Sequence, residues 1–320
     1  MDTDNQIEII PAPVAMPAII TRSGPTAPER FLEFFAASIR NPNTRRAYAR
    51  QVMQFLAWCE GRSVTRLGDI RPLHVAGYIE TMQAQAQTVK QALAAIRMLF
   101  DWLVISQIVP TNPAGSVRGP KYSYRKGKTP VLSREDARGL LDSIDTSTVI
   151  GLRDRALIGL MVFSFARIGA VLGMQVSDYY LNGRRSWVRL HEKGGKFHEV
   201  PVHHEVDDYL HAYIEAAGIA GEAKQPLWRT ARGRTNMLTD NGLQSAEALA
   251  MIKRRAKAVG LPPTICNHTF RATGITAYLE NGGTIENAQA IAAHESPRTT
   301  KLYDRRSDQI SLNEIERILI

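Results

Sequence analysis

Residues 268–303 bring together side chains that could bind an anion and attack it. His268 and Arg271 are three residues apart, so on a helix they would share one face. An apolar-periodic segment follows a Gly-Gly break and leads to His294, and Tyr303 comes after a Thr-Thr pair. Two histidines and an arginine suit an anion, and a tyrosine supplies a phenol oxygen as nucleophile. The segment therefore predicts an anion-binding site with a tyrosine nucleophile.

Arg167 lies in surroundings that demand a partner for its charge. It follows GLRDRALIGLMVFSF, which is expected to form a long, mostly apolar helix deep in a core. Burying a guanidinium without an anion is costly. We therefore expect Arg167 to be buried against either a local carboxylate, such as Asp178, or a bound phosphate.

A β-hairpin is predicted in SWVRLHEKGGKFHEVPVHH, around its Lys-Gly-Gly-Lys turn. The apolar residues expected to pair across it are Trp187, Val188 and Leu190 on one strand and Phe197, Val200 and Val202 on the other. Lys193 and Lys196 stand at its tip, where a lysine most often only improves solubility. The nearby His203, His204 and His211 have no cysteine or carboxylate at metal-ligand spacing, so no metal site is predicted.

Composition and charge restrict the class of protein. The chain has 320 residues, 44% of them hydrophobic, and a formal net charge of +9, which favours a nucleic acid partner over a membrane surface. A merely basic protein is the simpler alternative. Two cysteines far apart predict a reducing compartment. The first residues carry acids where a secretory leader has basic residues, so no leader is expected, and no apolar run approaches the roughly 18 to 20 residues of a membrane helix. A soluble, cytoplasmic bacterial protein is expected, associated with the nucleoid when it is bound to DNA.

The chain divides into four predicted regions. Residues 1–27 are rich in proline and are predicted to form a flexible arm. Residues 28–112 hold four segments with one apolar stripe each, which predict a small helical bundle. Residues 113–130 are predicted to be a basic linker. Residues 131–320 form the second domain and end in an amphipathic helix.

Basic residues at a helix start and in the linker are candidate contacts to a DNA backbone. A helix N-terminus attracts phosphates, and an extended basic segment neutralises several of them. The simpler interpretation is a solvated surface and a solvated linker. The candidates are Thr44, Arg45, Arg46, Arg50, Lys90, Arg118, Lys121 and Lys126. Asn43 or Thr44 is also predicted to cap that helix.

In order and spacing, these motifs resemble the tyrosine recombinase (phage integrase) family over about residues 28–320. The family's first arginine corresponds to FSFARIGAVLGMQVSDY, its hairpin lysine to HEKGGKFHEVPV, its His-x-x-Arg box to HTFR, and its late histidine and nucleophile to AHESPRTTKLY. The catalytic residues that this resemblance implies are Arg167, Lys193 (with Lys196 as a second candidate), His268, Arg271, His294 and Tyr303.

Two positions depart from the family pattern. Ala170 stands where the family usually has a glutamate three residues after the first arginine, so support for Arg167 must come from elsewhere or be absent. The family's Leu-Gly before the late histidine is Ala292-Ala293 here. Neither change removes a residue with a direct chemical role.

The resemblance implies a phosphoryl transfer without metal or other cofactor. Tyr303 would attack a DNA phosphodiester, giving a 3′-phosphotyrosyl link and a free 5′-hydroxyl. The two arginines would hold the non-bridging oxygens and the two histidines would hydrogen-bond the phosphate. Lys193 would be the general acid for the leaving oxygen.

The implied fold is mainly α with a small antiparallel β-sheet. It consists of a four-helix SAM-like core-binding domain and an α+β catalytic domain. The implied function is site-specific recombination of double-stranded DNA, as the integrase or resolvase of a mobile element (a phage or a transposon) or a replicon. Partners would be a second DNA site, further copies of the chain in a tetramer, and an accessory DNA-bending protein. The C-terminal helix would dock on a neighbouring protomer or on its own domain.

Three other functions stay open at this point. A type IB topoisomerase-like enzyme would use the same chemistry to nick and reseal DNA without synapsis. A catalytically idle DNA-binding protein could keep the same fold. A metal-dependent nuclease fits least, because no carboxylate cluster accompanies the motifs.

Overall fold

The computed structural model describes residues 16–121, 127, 129–192, 197–233 and 235–305. In these ranges the chain is mainly helical, with two small antiparallel sheets, which confirms the predicted fold class. It falls into an N-terminal and a C-terminal unit that divide after residue 123.

The N-terminal unit is a bundle of helices around an aromatic core. Its α-helices are α1 (Ala18–Thr21), α2 (Ala27–Ser38), α3 (Pro42–Glu60), α4 (Pro72–Thr81) and α5 (Ala86–Ile105), with a 3₁₀ turn at Leu67–Asp69. Helices α2 to α5 are the four that the apolar stripes predicted. Phe34, Phe35, Phe55 and Phe100 are fully buried between them.

Asn41 caps α3, and the prediction of Asn43 or Thr44 is wrong. The Asn41 side-chain oxygen accepts the backbone N–H groups of Asn43 at 3.0 Å and Thr44 at 3.2 Å. Pro42 occupies the first helical position, where its missing N–H is not needed and its fixed φ suits the helix. The cap therefore falls one residue before the proline.

Part of the predicted flexible arm belongs to the bundle, so that prediction is wrong for residues 16–27. Ile19 and Ile20 are fully buried, and the Ile19 N–H donates to Glu60 Oε1 at 2.7 Å. Burying such a side chain contributes about 1.5–3 kcal/mol, which offsets the entropy lost on ordering a short segment. The prolines on either side of this apolar pair favoured the prediction of a flexible arm.

The first part of the predicted linker also packs on the bundle. Ala114 and Val117 are buried, and the Arg97 guanidinium donates to the backbone carbonyls of both residues. Residues 113–117 thus close the helical core and are not a solvated linker. Residues 122–126 and 128 lie outside the described ranges.

The C-terminal unit surrounds one central helix. Its helices are α6 (Arg134–Asp142), α7 (Val149–Phe163), α8 (Ile168–Leu172), α9 (His204–Ala217), α10 (Ser245–Ala258), α11 (Asn267–Glu280), α12 (Ile285–Ile291) and α13 (Pro297–Lys301). Its strands are β1 (Tyr179–Asn182), β2 (Arg185–His191), β3 (Phe197–Pro201), β4 (Arg229–Ala231) and β5 (Leu238–Gly242). Helices α9 and α11 pack against α7, in which the run Ala156–Met161 is buried, in agreement with the predicted core helix.

The predicted hairpin is formed by β2 and β3. They pair antiparallel, with Val188 opposite Val200 and His191 opposite Phe197. Val188, Leu190 and Val200 are buried, whereas Phe197 is 66% exposed and does not join the core. The tip, residues 193–196, lies outside the described ranges.

Gly274 lets α11 approach α7 closely, and we expect Gly274→Ala to destabilise the C-terminal unit. A Cβ at this position would lie 1.9 Å from the Val162 carbonyl oxygen and 2.8 Å from the Phe165 ring. Since a backbone carbonyl cannot move aside, the cost should reach about 3 kcal/mol or more. The free energy of unfolding, obtained from urea titrations of the wild type and the variant, measures this cost.

The control is Gly139→Ala on α6, where a Cβ would meet no atom within 4 Å. There alanine should be neutral or stabilise the helix by up to about 1 kcal/mol. Equal unfolding midpoints for Gly274→Ala and the wild type would contradict the prediction.

Candidate active site

Five of the six predicted catalytic residues meet in one part of the C-terminal unit. Arg167 begins α8, His268 and Arg271 lie on the first turns of α11, and His294 and Tyr303 flank α13. The positive charges of Arg271 and Arg167 both contribute to lowering the pKa values of His268 and His294. The sixth, Lys193, lies outside the described residues, as does Lys196.

Arg271 is a buried arginine that joins two turns of the site. Its side chain is almost fully buried, and its two terminal nitrogens donate to the carbonyls of Phe165 and, at 2.6 Å, Ala292. A guanidinium has five N–H donors, so N–H groups remain for a substrate oxygen. Burial, then Arg167, lowers the pKa of Arg271 to about 10, against smaller opposing effects of Tyr303 and Glu192. It is therefore charged at neutral pH.

Arg167 differs from the prediction in burial and in partner. Its side chain is 39% exposed, and its Nη1 donates to Glu192 Oε2 at 2.6 Å. Asp178, the carboxylate considered from sequence, instead accepts the Gln175 N–H and contacts His191 Nε2 at 3.0 Å. Arg167 lies after the end of the buried helix α7, at the N-cap position of α8, and its side chain reaches the surface there.

His294 is held as a neutral imidazole beside the tyrosine. Its Nδ1 lies 2.9 Å from the buried Thr300 hydroxyl, and its ring stacks on Tyr303 with centroids 5.8 Å apart. Burial, then Arg271 and Arg167, lowers its pKa to about 3. When the Thr300 hydroxyl donates to Nδ1, the ring proton is on Nε2 and can be offered to a phosphate oxygen.

His268 shares this environment, and Tyr303 is positioned through both its backbone and its side chain. Burial, then Arg271 and Arg167, lowers the pKa of His268. The Tyr303 carbonyl accepts a hydrogen bond from Thr276 Oγ1 at 3.0 Å. The phenol hydroxyl interacts with the Arg271 guanidinium, so the predicted nucleophile lies beside a predicted phosphate-binding group.

The two departures from the family pattern have visible consequences. Ala170 is buried in α8 and brings no carboxylate to Arg167. Ala293 has φ +47, a left-handed conformation that costs a residue with a Cβ about 1–2 kcal/mol and that glycine adopts freely. The turn before His294 is therefore kept, at the expense of local strain.

Sequence reasoning missed Glu192, Thr276 and Thr300 as members of the site. Glu192 is one residue before the predicted general acid, which was the only signal available for it. The two threonines contact Tyr303 and His294 through folding of α11 against the following segments. Thr300 belongs to the Thr-Thr pair noted before Tyr303, but no role was predicted for it, and no spacing marked Thr276.

Acid should destabilise the C-terminal unit through His294. Below pH 6.5 the unfolded chain binds a proton at this residue while the folded chain, with its pKa near 3, does not. The free energy of unfolding therefore falls as the pH falls, by about 2 kcal/mol between pH 7 and pH 5 from this residue alone. Amide hydrogen exchange in α7, corrected for intrinsic rates, measures it in the wild type and in His294→Gln.

His211→Gln is the control for that measurement, because its side chain is 76% exposed on α9. It should leave the pH dependence of the wild type unchanged, whereas His294→Gln should flatten it. A dependence as steep in His294→Gln as in the wild type would count against the predicted role of burial.

The predicted DNA contacts on the N-terminal unit differ in exposure. Arg46, Arg50, Lys90, Arg118 and Lys121 are exposed, Thr44 and Arg45 are half-buried, and Lys126 lies outside the described residues. The Arg45 guanidinium donates to the Ile39 carbonyl through Nε and Nη2, at 3.1 and 2.9 Å. Their contact with DNA stays a prediction.

The described residues contain neither a membrane-spanning helix nor a metal-binding cluster. No helix there is both long enough and apolar enough to span a bilayer. No group of three or more histidine, cysteine, aspartate or glutamate side chains is placed there to hold a metal ion.

Comparison with known proteins places the chain in a family. A model of the phage integrase family matches residues 130–309, more than half of the chain, and a model of the phage integrase N-terminal SAM-like domain matches residues 29–107. Tyrosine recombinase XerD of Listeria monocytogenes serotype 4b is 25% identical over 284 residues, covering 86% of this chain and 92% of the relative. Tyrosine recombinase XerC of Myxococcus xanthus is 28% identical over 285 residues, covering 85% and 91%.

A solved structure agrees with these relatives at the level of the fold. The lambda integrase tetramer bound to a Holliday junction superposes with a TM-score of 0.65 at 17% identity, covering 88% of this chain and 78% of that one. The SAM-like and catalytic matches follow the two units in order along the chain. The chain therefore belongs to the tyrosine recombinase (phage integrase) family.

Proposed function

We propose that this protein is a site-specific recombinase that cleaves and rejoins double-stranded DNA through Tyr303. The observation that carries the proposal is the convergence of two arginines, two neutral histidines and a tyrosine whose hydroxyl interacts with Arg271. The family match and the XerD and XerC relatives support the same reaction. None of the relatives described above is a topoisomerase.

In the proposed reaction, the Tyr303 oxygen forms a bond to phosphorus and the bond from phosphorus to the 5′ oxygen breaks. The phenol proton passes to a base, for which a neutral histidine of the cluster is available, and the leaving oxygen takes a proton from Lys193. The product is a 3′-phosphotyrosyl link and a free 5′-hydroxyl. Because the number of phosphoester bonds is unchanged, a 5′-hydroxyl of another strand can reverse the step without ATP.

The cationic side chains stabilise the charge that builds on the phosphate. Arg271 has N–H groups to spare after its two carbonyl bonds and its contact with Tyr303, and Arg167 has further N–H groups besides the one that it donates to Glu192. Preorganised donors of this kind contribute about 2.7–4 kcal/mol each to lowering a barrier. A neutral imidazole keeps one N–H group, so His268 and His294 can each donate one further hydrogen bond to the phosphate.

The DNA contacts and the assembly are the finer parts of the proposal. The helical unit would hold the duplex with Arg46, Arg50 and Lys90, which are exposed. A lambda integrase with the same fold forms a tetramer on a Holliday junction, and we propose a homo-tetramer on paired sites here. An accessory DNA-bending protein stays a prediction. So does docking of the C-terminal helix, because residues 306–320 lie outside the described ranges.

A nicked suicide duplex tests the proposed function. DNA repeats that flank the gene supply candidate sites. A nick close to the scissile phosphate lets the short fragment that carries the new 5′-hydroxyl diffuse away after cleavage, so the covalent intermediate is trapped. We expect a covalent adduct between the protein and a DNA 3′ end, formed equally well in the presence of a chelator. Failure to form any adduct on a duplex that the protein binds specifically would refute the proposal and favour an idle DNA-binding protein.

A further inference from the structure

Glu192 is an acidic residue inside a cluster of cations. Its carboxylate accepts Arg167 Nη1 at 2.6 Å, and its side chain is only 7% exposed, compared with 39% for Arg167. Its negative charge also contributes to raising the pKa of Arg271. A carboxylate here repels the phosphate that the site is proposed to bind, so its presence needs a compensating benefit.

The geometry of the ion pair points to a positioning role. The contact joins one oxygen of Glu192 to one nitrogen of Arg167, which leaves further N–H groups of the guanidinium for a substrate. A carboxylate this deeply buried is stable only with a permanent cationic partner. The pair thereby fixes the start of α8 to the end of β2.

The other strand of the same hairpin is also fastened to the site. His198 Nε2 lies 2.8 Å from the Ile291 carbonyl, at the end of α12, and therefore carries the proton and donates it. Ile291 is three residues before His294. The strands on both sides of the tip are thus each tied to a segment that carries a proposed catalytic residue.

We propose that Glu192 is the positioning residue for Arg167 and takes the place of an acid absent at Ala170. Ala170 is three residues after Arg167 on α8, where a glutamate could contact the arginine along one helix face. In this chain that side chain is a methyl group, and the carboxylate comes from the hairpin instead. Glu192 also holds the backbone next to Lys193. The proposal rests on the proposed recombinase function.

Single-turnover cleavage of the suicide duplex, at saturating protein, tests the role. Losing a charge-assisted hydrogen bond to Arg167 should slow adduct formation in Glu192→Ala by about 10- to 100-fold. Binding to the same duplex should be unchanged or tighter, because a negative charge is removed. Glu192→Gln, which keeps an acceptor, should lie between Glu192→Ala and the wild type. Glu199→Ala, which removes an exposed acid from β3, should cleave as fast as the wild type.

A double-mutant cycle separates positioning from general destabilisation. In an Arg167→Ala background, Glu192→Ala should have little further effect on the rate, because the two residues act as a unit. Glu192→Ala combined with Ala170→Glu should recover at least half of the lost rate, on a logarithmic scale.

Three outcomes would overturn the proposal while leaving wild-type cleavage through Tyr303 intact. Glu192→Ala could cleave as fast as the wild type or faster while binding DNA more tightly, which would make the carboxylate an occupant of the phosphate position. Its effect could be fully additive with Arg167→Ala. The Ala170→Glu variant could be folded and active alone and yet restore nothing. If the wild type itself forms no adduct, the proposed function fails instead.

Discussion

Tyr303→Phe is expected to bind DNA as tightly as the wild type and to form no covalent adduct. The substitution removes the hydroxyl alone. The Tyr303 ring stacks on His294 and its carbonyl accepts from Thr276, and both contacts remain in the variant, which loses the interaction of the phenol oxygen with Arg271. The variant should therefore fold normally, and the loss should be chemical.

The expected loss of recombination is at least about four orders of magnitude, as for other enzymes that lose a covalent nucleophile. The measurement is denaturing electrophoresis of the suicide-duplex reaction, together with a binding titration on the same DNA. Tyr278→Phe is the matched control. Tyr278 lies on α11 against the Phe165 ring and has no proposed chemical role, so its variant should form adduct at the wild-type rate. Adduct that persists in Tyr303→Phe would mean that another residue is the nucleophile.

Arg271→Lys is expected to slow cleavage by about 10²- to 10³-fold, the cost of removing one preorganised donor from such a site. Lysine keeps the positive charge. A single ammonium, however, cannot donate to the Phe165 and Ala292 carbonyls and also grip two phosphate oxygens. The same change leaves a buried carbonyl unpaired, which should lower the free energy of unfolding of the C-terminal unit by about 1–3 kcal/mol.

A second buried arginine, Arg153, supplies the control that separates a loss of stability from a loss of catalysis. Arg153 is also nearly fully buried and donates to Asp154 and to the Arg229 carbonyl, away from the proposed reaction. Arg153→Lys should therefore lose comparable stability but cleave at close to the wild-type rate at a temperature where both variants are folded. The prediction for Arg271 fails if its lysine variant cleaves within tenfold of the wild type.

The features predicted best from the sequence were those encoded over short distances. The apolar period of α3 and α5, the antiparallel pairing around the Lys-Gly-Gly-Lys turn and the apolar core helix α7 are all present in the structure. The two errors in the N-terminal unit, at Asn41 and at Ile19–Ile20, concern a cap displaced by Pro42 and an apolar pair between prolines. In both cases proline altered a local pattern.

The partner of Arg167 could not be predicted, because it depends on distance in space. Asp178 was the nearer carboxylate along the chain, but the fold engages it with Gln175 and His191. Glu192 is 25 residues from Arg167, and only the antiparallel pairing of β2 and β3 and the packing of α8 bring the two together.

The sequence by itself predicted the chemistry proposed for this protein, because the order and spacing of an arginine, a hairpin lysine, His-x-x-Arg and His-to-Tyr indicate which groups are available. The tertiary structure determined the protonation and the orientation of these groups. Burial near two arginines makes His294 neutral, and two carbonyls from separate turns orient Arg271. These effects depend on desolvation and on contacts between distant residues, and both arise only when α7, α11 and α12 pack around one site.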